Sequence, residues 1–173
     1  MLKENKGSVS CIVHGDGPLG TMIAAGRPTG DVKGYVQQGH VELPRAEGKL
    51  AVGDAVGRHG TLQVIKDLGF GEPYSGQVNL VSGELGEDFA LYFTASEQTP
   101  SLVSLGVLTG DTVQAAGGLL VQMLPGASQD AAGLLEERAP AFSRISSLLA
   151  ERGDEELIRQ LFEGLEPRVL GTQ

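Results

Sequence analysis

The chain has 173 residues, with 13 Lys and Arg against 22 Asp and Glu, for a formal net charge of −9. That acidic balance, without a Lys/Arg cluster, argues against nucleic acid or an anionic membrane as partner. The single cysteine excludes an internal disulfide, and the chain shows neither a secretory leader nor an apolar run long enough to cross a bilayer. A soluble, cytoplasmic protein is the expectation. The length suits one compact domain with a small helical appendage. Glycine, at 26 residues, is about twice its usual ~7% share and falls between apolar runs, where tight turns account for it.

In chain order, Val9–His14, Leu19–Ala25 and Val32–Gln37 read as strands of an antiparallel meander, separated by turns at 15–18 and 27–30. Residues 38–48 read as a loop, and Lys49–Val56 fits either a short strand or a helical turn. Thr61–Lys66 and Tyr74–Val81 alternate as strands. Ser82 is placed to N-cap a helix whose apolar residues Leu85, Phe89, Tyr92 and Phe93 follow helical spacing, with Glu84, Glu87 and Asp88 near its positive end. Ser101–Leu108 and Thr112–Met123 are two further strands, and Gly117-Gly118 suggests a bulge or a close backbone approach.

After Pro125-Gly126 the pattern turns helical. Ser128 can cap a helix over Gln129–Arg138, and Pro140 opens a second one bearing Phe142, Ile145, Leu148 and Leu149. Gly153 should end that helix, and Asp154 should cap a third carrying Leu157, Ile158, Leu161, Phe162 and Leu165. Strands first and helices last make the fold class α+β: an antiparallel or mixed sheet core with a central amphipathic helix, then a helical C-terminal linker segment. The expected division is a core domain at 1–126 and a helical linker region at 127–173.

Four features invite a chemical reading. Gly15-Asp16-Gly17-Pro18-Leu19-Gly20 matches G-x-G-x-x-G, but the helix that must receive a pyrophosphate is cut short by Gly26 and Pro28, so a hairpin turn is expected. Cys11 and His14, three apart on a strand, point to opposite faces and do not make a nucleophile–base pair. His40 and His59 lack partners at metal-ligand spacing. Glu84, Glu87 and Asp88 form a tight carboxylate cluster that helix-dipole complementarity explains without catalysis. No catalytic, cofactor-binding or metal residue is therefore assigned.

The stretch Val81-Ser82-Gly83-Glu84-Leu85-Gly86-Glu87-Asp88-Phe89, with Tyr92-Phe93 and Ser96-Glu97-Gln98, resembles the most characteristic block of the 33 kDa chaperonin family. Residues 60–67 (GTLQVIKD) and 115–126 (AAGGLLVQMLPG) match further blocks in the same order, so nearly the whole chain fits one collinear comparison. The resemblance implies a bacterial heat-shock holdase that is ATP-independent and redox-regulated, is not an enzyme, and takes unfolding proteins as clients. It also implies a preceding N-terminal segment with a first strand, and a C-terminal zinc module with Cys-x-Cys and Cys-x-x-Cys ligands. This chain has neither, and Cys11 is not one of those ligands. It looks like the middle of such a protein, with no zinc or other cofactor of its own, without redox control, and with an unpaired sheet edge that favours a homodimer by edge pairing or strand exchange.

The family's metastable linker corresponds to the last helices here, which makes Phe142, Ile145, Leu148, Leu149, Leu157, Ile158, Leu161 and Phe162 the candidate client-contacting residues. Two rivals stand beside this reading. One is a small metal- or nucleotide-dependent enzyme built on the carboxylate cluster or the Gly15–Gly20 loop. The other is an inert structural core whose activity lies in the missing parts.

Overall fold

The computed structural model describes residues 6–43 and 50–164, and it is α+β throughout. Two compact units make up the chain, Met1–Gln98 and Thr99–Gln173. The division between these units falls at the end of the central helix.

In the first unit, β1 (Ser8–Gly15), β2 (Thr21–Gly26), β3 (Val32–Val36), β4 (Gly60–Asp67) and β5 (Tyr74–Asn79) form one antiparallel sheet in the order β3-β2-β1-β4-β5. The register puts Val13 opposite Leu62 and Cys11 opposite Val64, while Leu62 and Val64 face Val78 and Gly76. Period-2 alternation therefore sends Val13, Leu62 and Val64 to one face, where all three are buried. The helix α2 (Leu85–Glu97) supplies the buried Tyr92 and Phe93, whose rings meet edge to face with centroids 5.6 Å apart. Gly76 makes room for this contact, because a Cβ there would lie 3.0 Å from Tyr92 Cε2. The helix ends at Gln98, which adopts the left-handed conformation (φ 53°) and donates its N–H to the Phe93 carbonyl.

One local expectation is settled and two change. Residues 52–56 resolve the ambiguous segment as a single helical turn, α1 (Val52–Val56). The N-cap of α2 is Glu84, not Ser82; the Ser82 hydroxyl accepts the Glu84 N–H at 3.2 Å, one step ahead of the helix. The strand before it stops at Asn79 because the Val81 and Ser82 N–H groups turn to the Asp88 carboxylate instead of a neighbouring strand.

In the second unit, β6 (Ser101–Thr109) and β7 (Val113–Gln122) pair as an antiparallel hairpin. The irregularity in its register lies between Leu108 and Thr109, and Gly117 and Gly118 pair regularly with Gly106 and Leu105. The expected close approach is present at Gly118, where a Cβ would lie 2.8 Å from Leu105 Cδ2 and 3.4 Å from the Ser104 carbonyl oxygen, and a second is made at Gly106, where a Cβ would lie 2.8 Å from Ile145 Cγ2 and 2.9 Å from Ser146 N. The helix α3 (Gln129–Arg138) leads through a 3-10 helix (Ala139–Arg144) into α4 (Ile145–Leu161). α4 runs unbroken through Gly153 and Asp154, so the expected stop and restart there do not occur. A helix-interior glycine costs only about 1 kcal/mol, a sum that packing of the Ile145 face can offset. Leu165 lies outside the described residues.

Candidate functional site

The carboxylate cluster is built from the α2 N-terminus and the two loops beside it. Asp88 is fully buried, and its Oδ1 accepts the Val81 N–H at 2.7 Å and the Ser82 N–H at 3.4 Å. Glu84 Oε1 accepts the Gly53 N–H at 3.0 Å, which ties α1 to the start of α2. These carboxylates terminate backbone donors that no strand or helix satisfies. Among the described residues, no group of three His, Cys, Asp or Glu side chains is placed to hold a metal.

Residues 16–20 connect β1 to the antiparallel β2, and no helix follows them. The Gly17 and Leu19 N–H groups donate to the Val56 and Ala55 carbonyls, and Asp16 Oδ1 accepts the His59 N–H. Gly57 (φ 88°) sits where a Cβ would collide with Asp16 Oδ1 and Gly17 N. The loop's amides are thus spent on α1, and it is a hairpin turn. His14 and Thr21 meet side chain to side chain at 2.9 Å on the exposed side, and His40 lies 3.5 Å from Glu42 in solvent.

A polar cluster at the other end of α2 went unread in the sequence. Lys66 on β4 pairs with Glu97 on α2, its ammonium lying 5.9 Å from the Tyr74 ring centroid. Tyr74 in turn donates its hydroxyl to the Ser96 carbonyl at 3.1 Å. Burial pushes the Tyr92 phenol well above the usual tyrosine range, and the Glu97 carboxylate pushes it further the same way. Burial likewise raises the Cys11 thiol, opposed by the nearby Lys66 charge. Cys11 is half-buried, consistent with packing and not with an activated thiolate. The spacing of Lys66 and Glu97 in the chain, across a turn, a strand and a helix, gave no local signal for this pair.

The apolar candidates on the last helices separate. Ile145 is 1% exposed and packs with Leu148, Phe162, Leu119 and Val121, so it is core in this state and not surface. Leu148 and Phe162 are half-buried against it, whereas Ile158 is 39% exposed. The side chains of Phe142, Leu149, Leu157 and Leu161 lie outside the described ones.

Exposed apolar side chains that the sequence reading missed lie on strands. In the second unit the β6–β7 face opposite Ile145 carries Leu105, Val107 and Leu120, all exposed, and Val113 is exposed at the start of β7. In the first unit Ile23, Val32, Tyr35 and Val36 are exposed on β2 and β3. The signal was present: Leu102-Val103-Ser104-Leu105-Gly106-Val107-Leu108 is apolar on both alternating faces, the pattern of a strand that needs cover on two sides.

The family model described as Hsp33 protein matches residues 1–173. Relatives named 33 kDa chaperonin include one from Clostridioides difficile, 46% identical across 99% of this chain and 60% of its own length. Another, from Desulforamulus reducens, is 48% identical across 96% of this chain and 58% of its own. The crystal structure of a 33 kDa chaperonin (heat shock protein 33 homolog) from Thermotoga maritima superposes with a TM-score of 0.84, at 38% identity, over 93% of this chain and 56% of that one. The chain thus spans about three-fifths of the length of the curated relatives it matches.

Proposed function

The chain belongs to the Hsp33 family, and from that premise we propose that it is an ATP-independent holdase, binding unfolding proteins through exposed apolar surface without catalysis. The observation that supports this most is the apolar face of the β6–β7 hairpin, where Leu105, Val107 and Leu120 stand exposed beside one another. Exposed apolar area of this kind gains about 25 cal/mol per Å² when a partner covers it, and needs no nucleotide to do so. A chaperone role follows at the level of the family; the holdase mode belongs to this proposal.

The α4 stripe enters as a second, conditional part of the same surface. Ile158 is available as the protein stands, while Ile145, Leu148 and Phe162 reach a client only when α4 lifts from the hairpin. Phe142, Leu149, Leu157 and Leu161 complete the proposed stripe. Burial of Ile145 equally suits a stripe that only docks α4 on the hairpin.

The single cysteine of these residues cannot form a disulfide within them, so the proposed activity of these residues needs neither a redox switch nor a cofactor, and the proposed location is the cytoplasm. Among the described residues no helix is long and apolar enough to cross a membrane. Assembly into a homodimer through a sheet edge or by strand exchange is the proposed quaternary state.

The test is light scattering of a thermally unfolding client with increasing amounts of this chain and no ATP. Dose-dependent suppression, equal with and without peroxide, is expected. No suppression by a chain shown folded by circular dichroism would overturn the proposal.

A further inference from the structure

We infer that the cleft at the end of the five-stranded sheet where β1 begins binds a phosphate monoester of a small polyol. Lys6 and Arg27 take the phosphoryl group, and Asp67 accepts a hydroxyl of the organic part. The site is separate from the apolar surfaces above, and the inference does not rest on holdase activity.

The sheet register brings these side chains together. β1 lies between β2 and β4, so the turns that follow those two strands flank its entry. Ser8 pairs with Asp67, and Ser10 pairs with Ala25 on one side and Ile65 on the other. Alternation puts Ser8 and Asp67 on one face, opposite to Val13, Leu62 and Val64, and Arg27, two residues beyond Ala25, joins them. Lys6 reaches the same cleft from the chain just ahead of β1. Gly7 (φ 118°) and Gly69 (φ 77°) let the two segments pass closely, since a Cβ on Gly69 would lie 3.1 Å from Lys6 Cβ. The result is a cavity of about 380 Å³. That volume is at the low end of the ~300–1,000 Å³ of small-molecule sites, which suits one small ring and a phosphate.

Neither cation is spent elsewhere. Among the described residues, Lys6 and Arg27 have no carboxylate partner. The acids of the two turns are engaged locally: Asp31 Oδ2 accepts the Thr29 hydroxyl, and Asp67 Oδ1 accepts the Gly69 N–H, both at 2.7 Å. A guanidinium and an ammonium from separate segments suit a tetrahedral dianion, because the planar fork takes two oxygens and the point charge a third. The Ser8 hydroxyl adds a neutral donor. Asp67 keeps its second oxygen for the ligand. A carboxylate beside a bound dianion repels further phosphate and selects a neutral donor, which a polyol hydroxyl supplies. The half-buried Pro28 gives the carbon skeleton an apolar wall.

The experiment is isothermal titration calorimetry on the whole chain at constant ionic strength, with inositol monophosphate, inorganic phosphate, free inositol and malonate. Inositol monophosphate is expected to bind several-fold tighter than inorganic phosphate, and free inositol and malonate not to bind. Arg27→Gln and Lys6→Gln, both at exposed positions, should each weaken the monophosphate about tenfold or more while circular dichroism stays unchanged. Asp67→Asn removes a like charge, so inorganic phosphate should tighten and the preference for the monophosphate should shrink. Amide shifts of isotope-labelled protein should move at residues 6–8, 27–29 and 67–69. No binding at millimolar concentration overturns the inference, as do affinity indifferent to both charge removals, malonate binding as tight as phosphate, or shifts confined to other residues. A preference unchanged in Asp67→Asn overturns the polyol part. Aggregation suppression is read separately, so failure here leaves the proposed function untouched.

Discussion

At the scale of single residues, Asp88 illustrates how a carboxylate can be indispensable without being catalytic. It is fully buried, and its Oδ1 accepts two backbone N–H groups where the chain leaves the sheet and enters α2. Asp88→Ala would strand the Val81 and Ser82 donors, and an unsatisfied buried donor costs about 1–3 kcal/mol. Urea denaturation should show that loss, with Asp88→Asn losing less because one oxygen is retained as acceptor. A neutral Asp88→Ala would remove the structural explanation of this cluster. The sequence announced the cluster through its spacing, and the dipole argument rightly set catalysis aside. It could not name the acceptors' partners, because Gly53 lies 31 positions from Glu84 and only folding brings them together.

At the scale of elements, two contacts decide how helices are held. α2 is pinned to β4 and β5 by Tyr92 over Gly76 and by the Lys66–Glu97 pair. Because the Tyr92 phenol is raised in the folded state, the unfolded chain ionises first as pH rises. The stabilisation is complete below the unfolded tyrosine range, about pH 10, and is lost as pH climbs above it. Cys11, raised from a usual value of 9.0, acts with the same sign from a slightly lower pH. The melting temperature should therefore fall at alkaline pH, and Tyr92→Phe should flatten that fall; an unchanged slope would show that Tyr92 does not carry it.

α4 is held by Ile145 above Gly106. Ile145→Ala removes a buried side chain at a cost of about 2–5 kcal/mol and should loosen α4 from the hairpin. If the stripe contacts clients once released, aggregation suppression per molecule should rise as the melting temperature drops. A drop in both would assign the stripe to the core. The elements themselves were largely legible, since period 2 and period 3.6 are written into the residue order. Their ends were not: the α2 cap moved to Glu84 and α4 passed through Gly153 because partners distant in sequence outweighed local stop signals.

At the scale of the whole molecule, apolar side chains stand exposed on the β6–β7 face in one unit and on β2 and β3 in the other. The proposed holdase activity and the proposed self-association would both draw on such surface, yet they are separable. The first is read by light scattering with a client and should be insensitive to peroxide. The second is read by sedimentation and should depend on protein concentration. A chain that suppresses aggregation as a monomer would keep the first and lose the second.

The residue order by itself determined the α+β class, the meander of short strands, the amphipathic central helix and the family, because these depend on local periodicity and on blocks of contiguous residues. It also set aside the glycine-rich loop, since no helix-length pattern follows it. Only the tertiary structure decided which apolar residues are core and which are surface. Ile145 and Ile158 lie on one helix and look alike in sequence, but Ile145 is buried against the hairpin and Ile158 is exposed. Burial is a property of what packs against a residue, and the hairpin strands that cover Ile145 lie more than twenty positions away along the chain.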